Sequence, residues 1–152
     1  MRLAAAMLAA SFVGACGSAA ATTAAPPAGA AVTKASILVS DGGILRPIQN
    51  GGRVPLRGGW ATVRFSSLNA DHIDLDVSIF DTGGRSVAAA VRLEYESTDM
   101  DHGVMGSKAV GREGGYRIPI DIPMPGAFRM TLHVTRGAAE DTVTLVLPQV
   151  GY

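Results

Sequence analysis

The stretch Ile73 to Phe80 reads IDLDVSIF, and its alternation decides the fold. Ile73, Leu75, Val77 and Ile79 fall on one parity, while Asp74, Asp76 and Ser78 fall on the other. That is the two-residue period of a strand with one buried face and one wet face. A helix would spread the same residues around its axis and leave no continuous apolar stripe. The period recurs on both sides. Ala61, Val63 and Phe65 precede it. Val91, Leu93 and Tyr95 form the next apolar row, then Tyr116, Ile118, Ile120 and Ile122. Phe128, Met130, Leu132 and Val134 form another, and Val143, Leu145 and Leu147 the last. Turn-forming clusters divide the rows: DTGG from Asp81, REGG from Arg112, MPG from Met124 and RGAAED from Arg136.

With a short strand around Ser107 to Val110, these rows predict an all-β protein, an immunoglobulin-like antiparallel β-sandwich of about seven strands. The preceding segment, ILVSDGGILRPIQNGGRVPLRGG (37–59), holds short apolar runs broken by Gly and Pro, and supplies an edge strand or a hairpin. Pro119 has no amide hydrogen, so its strand lies at an edge or bulges there. Leu75, Val77, Val91, Leu93, Ile118, Ile120, Phe128 and Leu132 are expected to be buried together, with Met130 beside them. His133 has the opposite parity and is expected to face solvent. The pairs Asp74/Asp76 and Glu94/Glu96 read as solvated sheet faces.

The amino end sets the compartment. MRLAAAMLAASFVGAC has one Arg, an apolar run from Leu3 to Val13 and small residues before a cysteine, the layout of a secretory signal. The run is too short to span a bilayer. Val13-Gly14-Ala15-Cys16 resembles the lipobox of bacterial lipoproteins, which implies a signal peptide over 1–15 and lipidation of Cys16. Cys16 is also the single cysteine of the chain. The expected location is extracytoplasmic, on a membrane-anchored lipoprotein. Residues 16–35 are rich in Ala, Thr and Pro and lack periodicity; such a segment buries too little apolar surface to order itself and reads as a flexible tether. Fully stretched, it reaches roughly 60 Å. Residues 36–152 then make one domain of ordinary size.

Charge removes one class of partner. Thirteen Lys and Arg balance thirteen Asp and Glu, and without a basic run nothing is set to meet phosphates. No nucleic acid is expected as a partner. Enzyme chemistry finds no support either. The mature chain keeps no cysteine nucleophile, no serine sits in a nucleophile elbow, and His72, His102 and His133 are scattered.

One loop does stand out. STDMDHGVMGSK, Ser97 to Lys108, sets Met100, His102 and Met105 among aspartates and glycines. In an up-and-down chain, three connections share one pole of the sandwich: NADHI with His72, the methionine loop, and PMPG with Met124. Thioether sulfur is a soft donor that suits Cu(I), and imidazole suits both copper states. Copper, with Cu(I) preferred, is therefore the expected metal, with Met100, His102, Met105, Met124 and His72 as candidate ligands. Met105 and Met124 equally suit capping of the core, since methionine fills irregular gaps well. Asp99 and Asp101 read as solvating charges.

A family resemblance rests on the order of several short elements. Asp81-x-Gly83 ends a strand, Ala90-Val91 follows, then Met100 and Met105 in a loop, Gly115-Tyr116, and Met124-Pro125-Gly126 leading into AFRMTLHV. This order resembles the YtkA-like domain of the FixH group over about Ile73 to Val134, with the domain core at about 60–148. The chain departs from the family in carrying Phe128 where tryptophan is common. The resemblance implies an extracytoplasmic immunoglobulin-like module linked to copper handling and to assembly of copper-containing respiratory oxidases. Two functions follow. One is a lipid-anchored domain that binds copper at one pole and hands it to an extracytoplasmic metalloprotein or an oxidase under assembly. The other is a metal-free structural or docking module of a cell-envelope complex.

Overall fold

The computed structural model describes residues 37–68 and 71–150. The predicted signal peptide, Cys16 and the tether lie outside the described residues. Alternating burial runs through the described chain and divides it into eleven strands. They are β1 (Ile37–Asp41), β2 (Ile44–Ile48), β3 (Arg53–Leu56), β4 (Gly59–Phe65), β5 (His72–Asp81), β6 (Ala90–Ser97), β7 (Met105–Lys108), β8 (Val110–Arg112), β9 (Gly115–Asp121), β10 (Gly126–Arg136) and β11 (Ala139–Val150). Six form one sheet in the order β2-β1-β11-β10-β6-β7, and five form the other in the order β3-β4-β5-β9-β8. Every pairing is antiparallel.

The seven predicted rows are β4, β5, β6, the β7/β8 pair, β9, β10 and β11. Lettered A to G, they fall as A-B-E-D in one sheet and C-F-G in the other, the partition of an immunoglobulin-like sandwich. The count rises from about seven to eleven for two reasons. Residues 37–59 supply both a hairpin, β1–β2, and an edge strand, β3. The fourth row is also two strands, since β7 pairs with β6 in one sheet and, past Ala109, β8 pairs with β9 in the other. Residues 105–112 thus close one side of the sandwich. Ser107 Oγ donates to Pro119 O at 2.5 Å across that closure. Pro119 sits opposite Asp74 of β5, two residues beyond Arg117, where pairing with β8 ends. The strand is therefore an edge at the proline, as its missing donor requires.

The core lies between the sheets. Phe65, Leu75, Ile118, Phe128, Met130 and Leu132 are each no more than 1% exposed, and full burial of such a side chain contributes about 1.5–3 kcal/mol. Val91, expected among them, is only half-buried and packs at the core's margin. His133 departs from expectation. It is on the outer face, yet its side chain is only 13% exposed, because Glu140 and Arg92 close over it, with Nδ1 lying 2.8 Å from Glu140 Oε1 and 3.0 Å from Arg92. Asp76 likewise meets Arg112 at 2.9 Å and Arg117 at 3.4 Å, so the outer faces are cross-strand ion-pair lattices.

Candidate functional site

The chain reverses at one end of the sandwich after β4, β6 and β9, and hydrogen bonds bring these three connections together. Ile122 N donates to Asp71 O at 2.7 Å, joining the β4–β5 connection to the β9–β10 turn. Thr98 N donates to Ala127 O at 2.9 Å, and Ala127 N donates to Asp99 Oδ2 at 2.8 Å, joining the β6–β7 loop to the start of β10, where that turn ends. Tyr95 crosses between the sheets just below, donating its hydroxyl to Asp121 O at 3.2 Å.

The β6–β7 loop is a built turn. Ser97 Oγ accepts from Asp99 N and Met100 N, each at 3.3 Å, the side-chain turn that serine hydroxyls favour. His102 N then donates to Met100 O at 3.2 Å, a three-residue γ-type closure, and Gly103 follows at φ +73°. Met100 and His102 are thus the ends of one tight turn. Met100 is 45% exposed and lines an open hollow with Glu96, Asp99, Asp101 and Arg129. His102 is exposed. Met124, half-buried, stands in the β9–β10 turn, three residues before Ala127, to which this loop is tied.

Met105 and His72 are placed elsewhere. Met105 lies opposite Tyr95 in the β6–β7 ladder, and opposite residues of an antiparallel pair share a face. Tyr95 is buried, so Met105 turns inward, where it packs against the core. Its thioether acts as the gap-filler that methionine often is. His72 is on the outer face of the five-stranded sheet, with Nδ1 2.7 Å from Asp121 Oδ1 and Nε2 3.9 Å from Asp74. The hollow beside Met100 opens on the outer face of the other sheet, where Arg129 and Glu96 pair across β10 and β6. The thickness of the sandwich therefore separates His72 from Met100. Among the described residues, no group of three or more His, Cys, Asp or Glu side chains is placed to hold a metal ion.

Several working residues escaped the sequence. Asp99, read as a solvating charge, is a structural acceptor for Ala127. Its signal is visible in retrospect as Ser-x-Asp at the end of a strand. Trp60 stacks on Phe80 with ring centroids 5.6 Å apart, and the Arg53 guanidinium stands 4.7 Å from the Trp60 ring. These rings are neighbours only through the β3–β4–β5 register.

No family model, curated protein or solved structure matches the chain. Asp81, Gly83, Gly115 and Tyr116 have fold-level work here. Asp81 Oδ1 accepts from Gly83 N and Arg85 N at 2.9 Å each, closing a turn. A Cβ at Gly115 would lie 2.4 Å from Val77 O, and the Tyr116 hydroxyl accepts from Ala89 N at 2.8 Å.

Proposed function

We propose that the chain is a membrane-anchored extracytoplasmic domain that binds Cu(I) through Met100 and His102, with Met124 completing the donor set from the adjoining turn. The observation that supports this reading is the pair of hydrogen bonds at Ala127, which accepts from Thr98 N and donates to the Asp99 carboxylate, fastening the Met100–His102 turn to the start of β10, three residues after Met124. The donor chemistry fits the ion: two thioethers and one imidazole suit soft, low-coordinate Cu(I). Exposure fits transfer, since a site open to solvent lets an incoming ligand displace Met100 or His102 one at a time. The recipient is an extracytoplasmic metalloprotein, the class to which an oxidase under assembly belongs, and the FixH-type resemblance points the same way. No catalytic step is required.

The test is a Cu(I) competition titration of the full chain against a chelator under reducing conditions. Wild type binds one ion, and Met100→Leu weakens binding without unfolding, because that swap roughly conserves volume and costs less than about 1.5 kcal/mol of stability. Acidification weakens binding too, as imidazole must be neutral to coordinate, while the sulfur contribution persists. Absence of Cu(I) binding by wild type rejects the reading. The metal-free docking module then takes its place, with its own supporting observation: Ile44 and Leu45, 61% and 50% exposed, start β2 at the outer edge of the six-stranded sheet.

A further inference from the structure

Opposite residues of an antiparallel ladder exchange two N–H···O bonds at each hydrogen-bonded pair. Between β6 and β10 the last such pair would be Thr98 with Ala127. Thr98 N donates to Ala127 O as the pattern requires, but Ala127 N donates to the side chain of Asp99, not to a strand carbonyl. The carboxylate replaces a rung of the ladder and turns the chain out of β6 at this point. The other side of the contact is shaped for it. Gly126 has φ +155°, and a Cβ there would lie 2.9 Å from Asp99 Oδ2, closer than real Cβ contacts come. Pairing between β10 and β11 also shifts register between Gly126 and Phe128, so Ala127 sits at an irregular point of the strand.

We infer that Asp99 is the positioning residue of the metal pole: its carboxylate latches the Met100–His102 turn to Ala127 and is not itself a ligand. This rests on the copper reading above for its functional consequence, but the latch has a signature of its own. Without the carboxylate, Ala127 N loses its acceptor and opens to exchange with water. The Met100–His102 turn then loses the tie that holds it to the start of β10. An amide oxygen at the same position still accepts from Ala127 N, so Asp99→Asn keeps the latch and removes only the charge.

The experiment compares Asp99→Ala, Asp99→Asn and Gly126→Ala in the full chain by Cu(I) competition and by amide hydrogen exchange at Ala127 in the metal-free protein. Asp99→Ala is expected to lower Cu(I) affinity about 10- to 100-fold, the usual loss when a group that orients a ligand is removed, and to speed exchange at Ala127. Asp99→Asn is expected to retain most of both. Gly126→Ala, which crowds the carboxylate from the opposite side, is expected to reproduce the Asp99→Ala result, and Asp99→Asn, which keeps the acceptor, guards against a loss that comes merely from failure to fold. Unchanged affinity in Asp99→Ala overturns the inference. So does Asp99→Asn losing affinity while Ala127 stays protected, because the carboxylate would then be acting on the metal directly. If wild type binds no Cu(I), the functional reading fails, and the exchange data still decide whether the latch exists.

Discussion

Tyr95 shows how one side chain can couple a buried location to a polar task. Its ring is in the core, with the residue 6% exposed, and its hydroxyl reaches across to Asp121 O in the other sheet. Burial raises the phenol above its ordinary value, with the bond to Asp121 opposing in part. A raised folded-state value means that the folded chain holds the proton more tightly than the unfolded chain. The stability so gained is complete below about pH 10, the ordinary phenol range, and is lost as pH rises through the folded value. Tyr95→Phe should therefore lower stability by about 1 kcal/mol at neutral pH, through loss of one hydrogen bond, and flatten the alkaline end of the stability profile. Urea titrations of both proteins across that range measure it; parallel alkaline losses would refute the assignment to Tyr95. Glu94 has the opposite sense. The Arg92 hydrogen bond lowers its carboxyl, so that contribution is present at neutral pH and fades on acidification, and its place on the solvent-facing side of the sheet, with the side chain 43% exposed, keeps it small.

Strand β10 is the element on which most of the architecture turns. It pairs with β11 on one side and β6 on the other along nearly its whole length, and Phe128, Met130, Leu132 and Val134 all face the core at 0% exposure. Truncating one of them removes contacts on every side, with little freedom to collapse. Leu132→Ala should cost about 2–5 kcal/mol, measured by chemical denaturation. The same truncation at half-buried Val91 should cost clearly less, although the two residues share the apolar parity of adjoining strands. Equal losses would mean that the margin of the core is as tightly packed as its centre. The β7–β8 element makes the complementary point, because four residues in one sheet and three in the other close an edge that would otherwise be open to pairing with another chain.

For the whole molecule, the proposed anchor governs where the sandwich works. Replacing Cys16 with Ala should release the protein from the membrane fraction or block its maturation, as read by fractionation and gel mobility. A variant that fractionates and migrates like the parent rejects lipidation. The strand rows, their inward parity and the interruption of pairing at Pro119 were determined by the sequence, because a period of two and a missing amide hydrogen are local properties; that the interruption is an edge and not a bulge was decided by where β8 stops pairing. The gathering of three connections at one pole followed from strand parity along the chain. Tertiary structure alone decided what those connections do. Met100 and Met105 are five positions apart, yet Met105 starts β7 and its pairing with Tyr95 turns it into the core, while Met100 lines an outer hollow. His72 shares the pole but lies across the sandwich on Asp121. Asp99 looked like a solvating charge until Ala127, 28 residues on, took its oxygen. His133 has outward parity but is covered by side chains from β6 and β11. Which way a side chain faces is written in the period of its own strand. Which groups it meets there depends on the register of strands distant in sequence, and that register is fixed only when the sheets close on a common core.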